Sequence, residues 1–138
     1  MRYIIYLSIS LAVISGCGMK PGKTICFKNV RVRAEVAQSA QERKTGLMLR
    51  QYLAAKEGML FVFPKEERHG IWMKNMLFPL DIIWISEDKE VVYIVAGALP
   101  CLETCNVIAP EKKAKYVLEV NAGFTEKYRI RAGDKVRF

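Results

Sequence analysis

Val30-Arg31-Val32-Arg33-Ala34-Glu35-Val36 is the stretch whose pattern best indicates the fold class. Apolar side chains alternate along it with charged ones, and a period of two residues places the two sets on opposite faces of a β-strand. Thr24 to Phe27 predicts a strand before it, with Lys28-Asn29 as a tight turn. The globular part of the chain is therefore expected to begin with short, half-buried strands.

Further short strands are predicted downstream. The apolar and alternating runs are Met59 to Phe63, Ile71 to Met76, Leu80 to Ile85, Val91 to Val95, Tyr116 to Val120 and Lys135 to Phe138. Charged and proline-containing segments separate them, with loops at Pro64 to Gly70 and Leu99 to Glu111. Ser86 to Glu90 is a polar turn into Val91 to Val95, which predicts a hairpin.

Two helices complete the pattern. Ser39-Ala40-Gln41-Glu42 fits a capping box, which predicts a helix from Ala40 to about Arg50. Gly46 inside it is expected to permit close packing, and Asn121 is expected to cap a short helix over Ala122 to Tyr128. The predicted fold class is α+β, mainly β, with a curved barrel-like sheet and one or two short helices.

The first residues carry a targeting signal. An apolar run from Tyr3 to Val13 follows Arg2, and it is too short to span a membrane comfortably. Ile14-Ser15-Gly16-Cys17 then resembles the lipobox of bacterial lipoproteins, with isoleucine where leucine is usual. The resemblance implies cleavage before Cys17, thioether lipidation of its sulfur and acylation of the new amino group. An ordinary cleaved signal with a chance cysteine is the alternative.

These observations divide the chain into residues 1–16 as signal peptide, 17–23 as lipidated cysteine and tether, and 24–138 as one globular domain. The predicted location is extracytoplasmic and membrane-anchored. An aspartate after the lipidated cysteine would favour retention at the inner membrane of a Gram-negative envelope, and none follows Cys17, so an outer-membrane location stays open. The predicted partner is thus the membrane, reached through the lipid anchor.

The chain is basic, with a formal net charge of +8. Such a surface could attract anionic lipid headgroups or acidic glycans, but scattered lysines and arginines also serve solubility alone. No aromatic and basic RNA-binding motif is present, and no nucleic-acid partner is expected outside the cytoplasm.

Three cysteines follow Cys17. In an oxidising compartment, Cys101 and Cys105 are the natural disulfide pair, and Cys26 is then a small buried apolar side chain. Two alternatives stay open: a redox-active pair, and a zinc site that adds Cys26 and His69 to the two cysteines. Neither alternative has a strong motif, so no metal and no cofactor is assigned.

Several spaced segments resemble the "domain of unknown function 192" family, also called uncharacterised protein family 0127, over about residues 30 to 138. They are Glu42-Arg43-Lys44-Thr45-Gly46-Leu47-Met48, Gly58-Met59-Leu60-Phe61-Val62-Phe63, Trp72-Met73-Lys74-Asn75-Met76, Pro79-Leu80-Asp81-Ile82-Ile83, Pro100-Cys101, Tyr116-Val117-Leu118-Glu119-Val120 with Ala122-Gly123, and Gly133-Asp134. Met76 stands where the family usually has threonine. The resemblance implies a compact, mainly β, often exported domain, and it implies no activity.

The densest group of candidate site residues is Trp72, Lys74, Asn75 and Asp81. A strand would place Trp72 and Lys74 on one face, and the amine, amide and carboxylate could together bind a polar or anionic ligand. In the structural alternative, Asp81 accepts backbone hydrogen bonds near a turn and Asn75 satisfies a buried peptide group.

The leading hypothesis is a non-catalytic binding or accessory module for a polar or anionic small molecule or glycan of the envelope. No nucleophile–base motif is present, so no catalytic residue is assigned. The alternative is a small envelope hydrolase or transferase that uses Asp81 with Lys74 or His69. A third hypothesis is a structural partner protein with a large exposed apolar patch. Arg43 could pair with Glu119 or Asp81, and the oligomeric state is not predicted.

Overall fold

A computed structural model describes residues 22–138, so the predicted signal peptide, Cys17 and most of the tether lie outside the described residues. The described part contains six strands and two short helices. In chain order they are β1 Gly22–Cys26, β2 Arg31–Ala37, α1 Ala40–Thr45, β3 Glu57–Glu67, β4 Leu80–Ile85, β5 Val91–Ala98, β6 Ala114–Asn121 and α2 Phe124–Lys127. The mainly β prediction with two short helices is confirmed, and no helix within 22–138 is long and apolar enough to cross a bilayer.

The six strands form one open sheet in the order β1-β2-β3-β6-β4-β5. Only β2 and β3 run parallel, and the other neighbours are antiparallel. The sheet is not a closed barrel, because the edge strands β1 and β5 are not paired with each other, so the barrel-like description holds only loosely. The predicted last strand, Lys135 to Phe138, instead makes single bridges from Arg137 to Cys26 and from Lys135 to Glu90.

The sheet is covered on both faces. In register, Met59 of β3, Glu119 of β6 and Ile82 of β4 lie side by side, and we call their side of the sheet the Met59 face. Leu60, Leu118 and Ile83 lie on the opposite side, the Leu60 face. Each face carries its own apolar cluster, so the central strands are buried on both sides. This is why β4 is a continuous apolar run and does not alternate.

Helix α1 begins where the capping box predicts and ends earlier than expected. Ser39 accepts a hydrogen bond from the Glu42 amide, and the Glu42 carboxylate accepts one from the Ser39 amide in return. The helix stops at Thr45 because Gly46 has φ 49° and ψ −133°, outside the helical region. A Cβ added to Gly46 would lie 3.2 Å from the ring of Phe61, so the glycine does permit close packing.

The segment from Ile71 to Met76 is not the strand that the sequence predicted. It makes only isolated bridges, Ile71 with Ile108 and Lys74 with Cys101, because the backbone turns at Asn75 with φ 55°. Met73 and Met76 belong to the same buried cluster, although residues three positions apart in a strand would lie on opposite faces. Strand β3 in turn extends to Glu67, into the predicted loop.

Helix α2 is also shorter than predicted. It begins after Gly123, whose φ is 83°, and Gly123 provides no side-chain cap. Asn121, the predicted cap, instead donates its side-chain amide to the Leu53 carbonyl at 2.8 Å.

Candidate functional site

A cleft of about 320 Å³ opens on the Met59 face of the sheet. Helix α1 and the turn after it supply one wall, the segment from Gly70 to Met76 supplies another, and β3 and β6 contribute the floor. Most of the lining is apolar and includes Leu47, Met48, Phe61, Phe63, Ile71, Trp72 and Met76. A concave, mostly apolar space with few polar groups is the usual form of a small-molecule site.

Three cationic side chains line this cleft: Arg43, Lys44 and Lys74. Arg43 lies over the ring of Phe63 at 5.1 Å and donates from Nη1 to the carbonyls of Val62 and Gln38. It therefore pairs with neither Glu119 nor Asp81. Lys74 lies over the ring of Trp72, with Nζ 5.5 Å from the centroid. Within residues 22–138 none of the three makes an ion pair.

Glu119 is the one acidic side chain that lines the cleft within the described residues. It lies on the central strand β6 between Met59 and Ile82, and only 4% of it is exposed. Its carboxyl group has no hydrogen-bond or ion-pair partner among residues 22–138. Burial raises the pKa of Glu119 to about 8, because a charged carboxylate is poorly solvated among apolar side chains. At neutral pH the group is therefore mainly a neutral acid.

Asp81 lies on the other side of the sheet. It pairs in register with Val120, so its side chain is on the Leu60 face and is fully buried. Its carboxylate accepts four hydrogen bonds: from the amides of Gly97 (2.9 Å), Gly123 (3.2 Å) and Thr125 (2.8 Å), and from the Thr125 hydroxyl (2.7 Å). This carboxylate holds the start of helix α2 against the bulge in β5 at Gly97.

The structure therefore separates the four predicted site residues. Trp72 and Lys74 line the cleft, whereas Asp81 is on the opposite face and makes no hydrogen bond with Lys74 or His69. Asn75 acts through its backbone, which donates to the Cys101 carbonyl at 3.0 Å and accepts from the Leu49 amide at 2.9 Å. Of the four predicted site residues, only Trp72 and Lys74 thus line the same cleft.

His69 lies beside the cleft without facing it. Its ring stacks on Phe63 with centroids 3.7 Å apart, and Nε2 lies 2.8 Å from the Lys65 carbonyl oxygen. His69 is half-buried and packed against the protein.

Cys101 and Cys105 form a disulfide with their Cα atoms 5.7 Å apart. The Cys101 amide donates to the Met73 carbonyl at 3.0 Å, so the disulfide loop supports the wall of the cleft that carries Trp72 and Lys74. Cys26 is a free thiol at the end of β1 and is half-buried. Among residues 22–138 no cluster of three or more metal-binding side chains occurs.

The burial of Glu119 was not predicted, although the sequence around it contains one indication of it. Tyr116, Leu118 and Val120 occupy every second position of a predicted strand. Glu119 is then expected on the opposite, solvent-exposed face. In the structure Val117, on the same face as Glu119, is fully buried. An acidic residue between Leu118 and Val120 and two positions after an apolar valine is the pattern that could have indicated a buried acid.

Comparison with known proteins agrees with this architecture. The DUF192 family, described as "Uncharacterized ACR", matches residues 23–138. A UPF0127 protein of Pyrococcus abyssi is 30% identical over 111 residues, covering 77% of this chain and 86% of the relative. A UPF0127 protein of Pyrococcus furiosus is 28% identical over 116 residues, covering 80% of this chain and 90% of the relative.

A solved structure has the same fold. The crystal structure of a protein of unknown function from Novosphingobium aromaticivorans superposes with a TM-score of 0.75 at 35% identity. The match covers 83% of this chain and 82% of that one. The match of the family to nearly all of the described residues, together with these relatives, shows that this chain belongs to the DUF192 (UPF0127) family.

Proposed function

We propose that the protein is a lipid-anchored, extracytoplasmic binding module whose cleft takes a small molecule with an apolar body and an anionic end. The observation that carries this proposal is the placing of Arg43, Lys44 and Lys74 around an apolar cleft without ion-pair partners in the described chain. The lipobox-like segment that ends at Cys17 supports the location.

The lining favours an amphipathic ligand on energetic grounds. Apolar contact with Phe61, Phe63 and Trp72 contributes about 25 cal/mol per Å² of apolar surface removed from water. Exposed cations alone add little, because water screens them. Beside the low-dielectric aromatic walls of the cleft, a cation attracts an anion more strongly than it does in water. The attractions of the three cations Arg43, Lys44 and Lys74 add, because all three line the same cleft.

Trp72 provides a direct assay. It is 39% exposed at the cleft, whereas the other tryptophan, Trp84, is fully buried, so a ligand in the cleft should change the fluorescence of Trp72 alone. We would titrate the soluble domain with phenylacetate and with uncharged phenylacetamide. The anion should bind more tightly, and Trp72→Phe should abolish the signal.

Charge-removing variants identify the cleft as the site. Lys44→Gln and Lys74→Gln should each weaken phenylacetate binding about two- to fivefold and leave phenylacetamide unchanged. Lys28→Gln, on the exposed turn between β1 and β2, is the matched control and should have no effect. Equal affinity for the two compounds, or no binding of either, would overturn the proposal.

A further inference from the structure

We infer that Glu119 is the polar anchor at the floor of the cleft and that it recognises an uncharged hydrogen-bonding group, of the hydroxyl type, at the buried end of the ligand. This inference rests on the proposed function and adds a second recognition point to it. The ligand class becomes an amphipathic anion with its charge near the lysines and a hydroxyl at the other end of its apolar body.

Among residues 22–138, no protein group forms a hydrogen bond or an ion pair with the carboxyl of Glu119. Buried polar groups in proteins are nearly always hydrogen-bonded, and each exception calls for a reason. Glu119 as a residue is only 4% exposed, and every fully enclosed side-chain nitrogen or oxygen among residues 22–138 has a partner, so the unpartnered carboxyl of Glu119 reaches the open space of the cleft that it lines. Asp81 is the internal comparison, since that carboxylate is equally buried and is satisfied by four protein donors.

Glu119 is held in a fixed position among apolar side chains. Strand β6 is central in the sheet, with β3 and β4 hydrogen-bonded on its two sides, so the Glu119 backbone is held firmly. The in-register neighbours on its face, Met59 and Ile82, are apolar and buried and offer no hydrogen bond. A fixed polar group in apolar surroundings discriminates between ligands with and without a hydrogen-bonding group. A ligand without one leaves the buried polar group unsatisfied and binds less tightly.

The charges in and around the cleft favour an uncharged ligand group at Glu119. A neutral carboxylic acid offers one O–H donor and an acceptor oxygen, which match a hydroxyl group in both directions. Burial favours the neutral form of Glu119, and the cleft's other charged side chains, Arg43, Lys44 and Lys74, are all positive. A cationic ligand group would meet these three charges on its way in, whereas a hydroxyl would not.

The test uses two probes that differ by one hydroxyl, para-hydroxyphenylacetate and phenylacetate, titrated at about pH 6, where Glu119 is protonated. The wild-type protein should bind the hydroxylated probe about fivefold more tightly, the effect of one net hydrogen bond. Glu119→Leu should abolish this preference and Glu119→Gln should retain much of it. Thr45→Val, which removes a different polar group from the cleft lining, should leave it intact.

A measurement on the wild-type protein avoids any folding defect in the variants. The side-chain carboxyl carbon resonance of Glu119 should shift when para-hydroxyphenylacetate is added and shift much less with phenylacetate. If both probes bind equally to the wild type, the inference about Glu119 fails while the proposed function stands. If neither binds, both fail. A preference that persists in Glu119→Leu also overturns the inference.

Discussion

Replacing Asp81 with alanine should cost the domain a large part of its stability. The side chain is fully buried, and four donors converge on its two carboxylate oxygens. The amides of Gly97 and Gly123 belong to exposed residues and can turn to water when the carboxylate is lost. The two donors of Thr125 cannot, because Thr125 is only 5% exposed.

The magnitude follows from those two stranded donors. Each buried donor left without an acceptor costs about 1–3 kcal/mol, so we expect Asp81→Ala to lower the free energy of unfolding by about 4 kcal/mol. For a domain of this length that corresponds to a fall in Tm of roughly 15 °C. Thermal and urea unfolding of the soluble domain, followed by circular dichroism, would measure both quantities.

Two variants serve as controls for Asp81. Asp88→Ala removes an exposed aspartate from the turn before β5 and should change stability by less than about 0.5 kcal/mol. Thr125→Val removes one of the stranded donors, so its combination with Asp81→Ala should cost less than the sum of the single changes. If Asp81→Ala melts within about 2 °C of the parent, the four hydrogen bonds do not stabilise the fold as argued.

Three further predictions concern the acid, the disulfide and the anchor. The pKa of Glu119 is about 8 in the folded protein against an ordinary 4.5, so the folded state holds the proton more tightly and the domain should lose stability as pH rises between those values. Glu119→Gln should not lose stability in this way, and urea unfolding of both proteins at about pH 5 and about pH 9 would measure the difference. An equal change in the free energy of unfolding for the two proteins would contradict the effect of burial on Glu119. Reduction of the Cys101–Cys105 disulfide should loosen the wall of the cleft, seen as faster hydrogen exchange at the Asn75 and Cys101 amides with β6 unchanged; alkylation of both thiols in protein from the envelope would argue against the bond itself. Cys17→Ser should move the protein out of the membrane fraction, because serine cannot form the thioether, and unchanged attachment would speak against the lipobox.

The local elements could largely be predicted from the sequence because each depends on near neighbours. The capping box at Ser39 and Glu42, the alternation in β2 and the apolar run of β4 all involve residues a few positions apart. The failures came where the backbone departs from a regular period, as at Asn75 and Gly46, whose positive φ angles end or prevent regular structure. Such turns depend on tertiary hydrogen bonds, for example between Asn75 and Cys101.

The site was decided by strand order, which the sequence does not contain. Because β6 is inserted between β3 and β4, Glu119 comes to line a cleft formed by residues 40–48 and 70–76, far away along the chain. The two-residue alternation of a strand then places Asp81 on one face and Glu119 on the other. The sequence by itself determined a mainly β domain, its family and the segments that carry polar side chains. Only the tertiary structure decided that Asp81 is held by protein donors and that Glu119 faces a cleft, since both outcomes depend on pairing between distant strands.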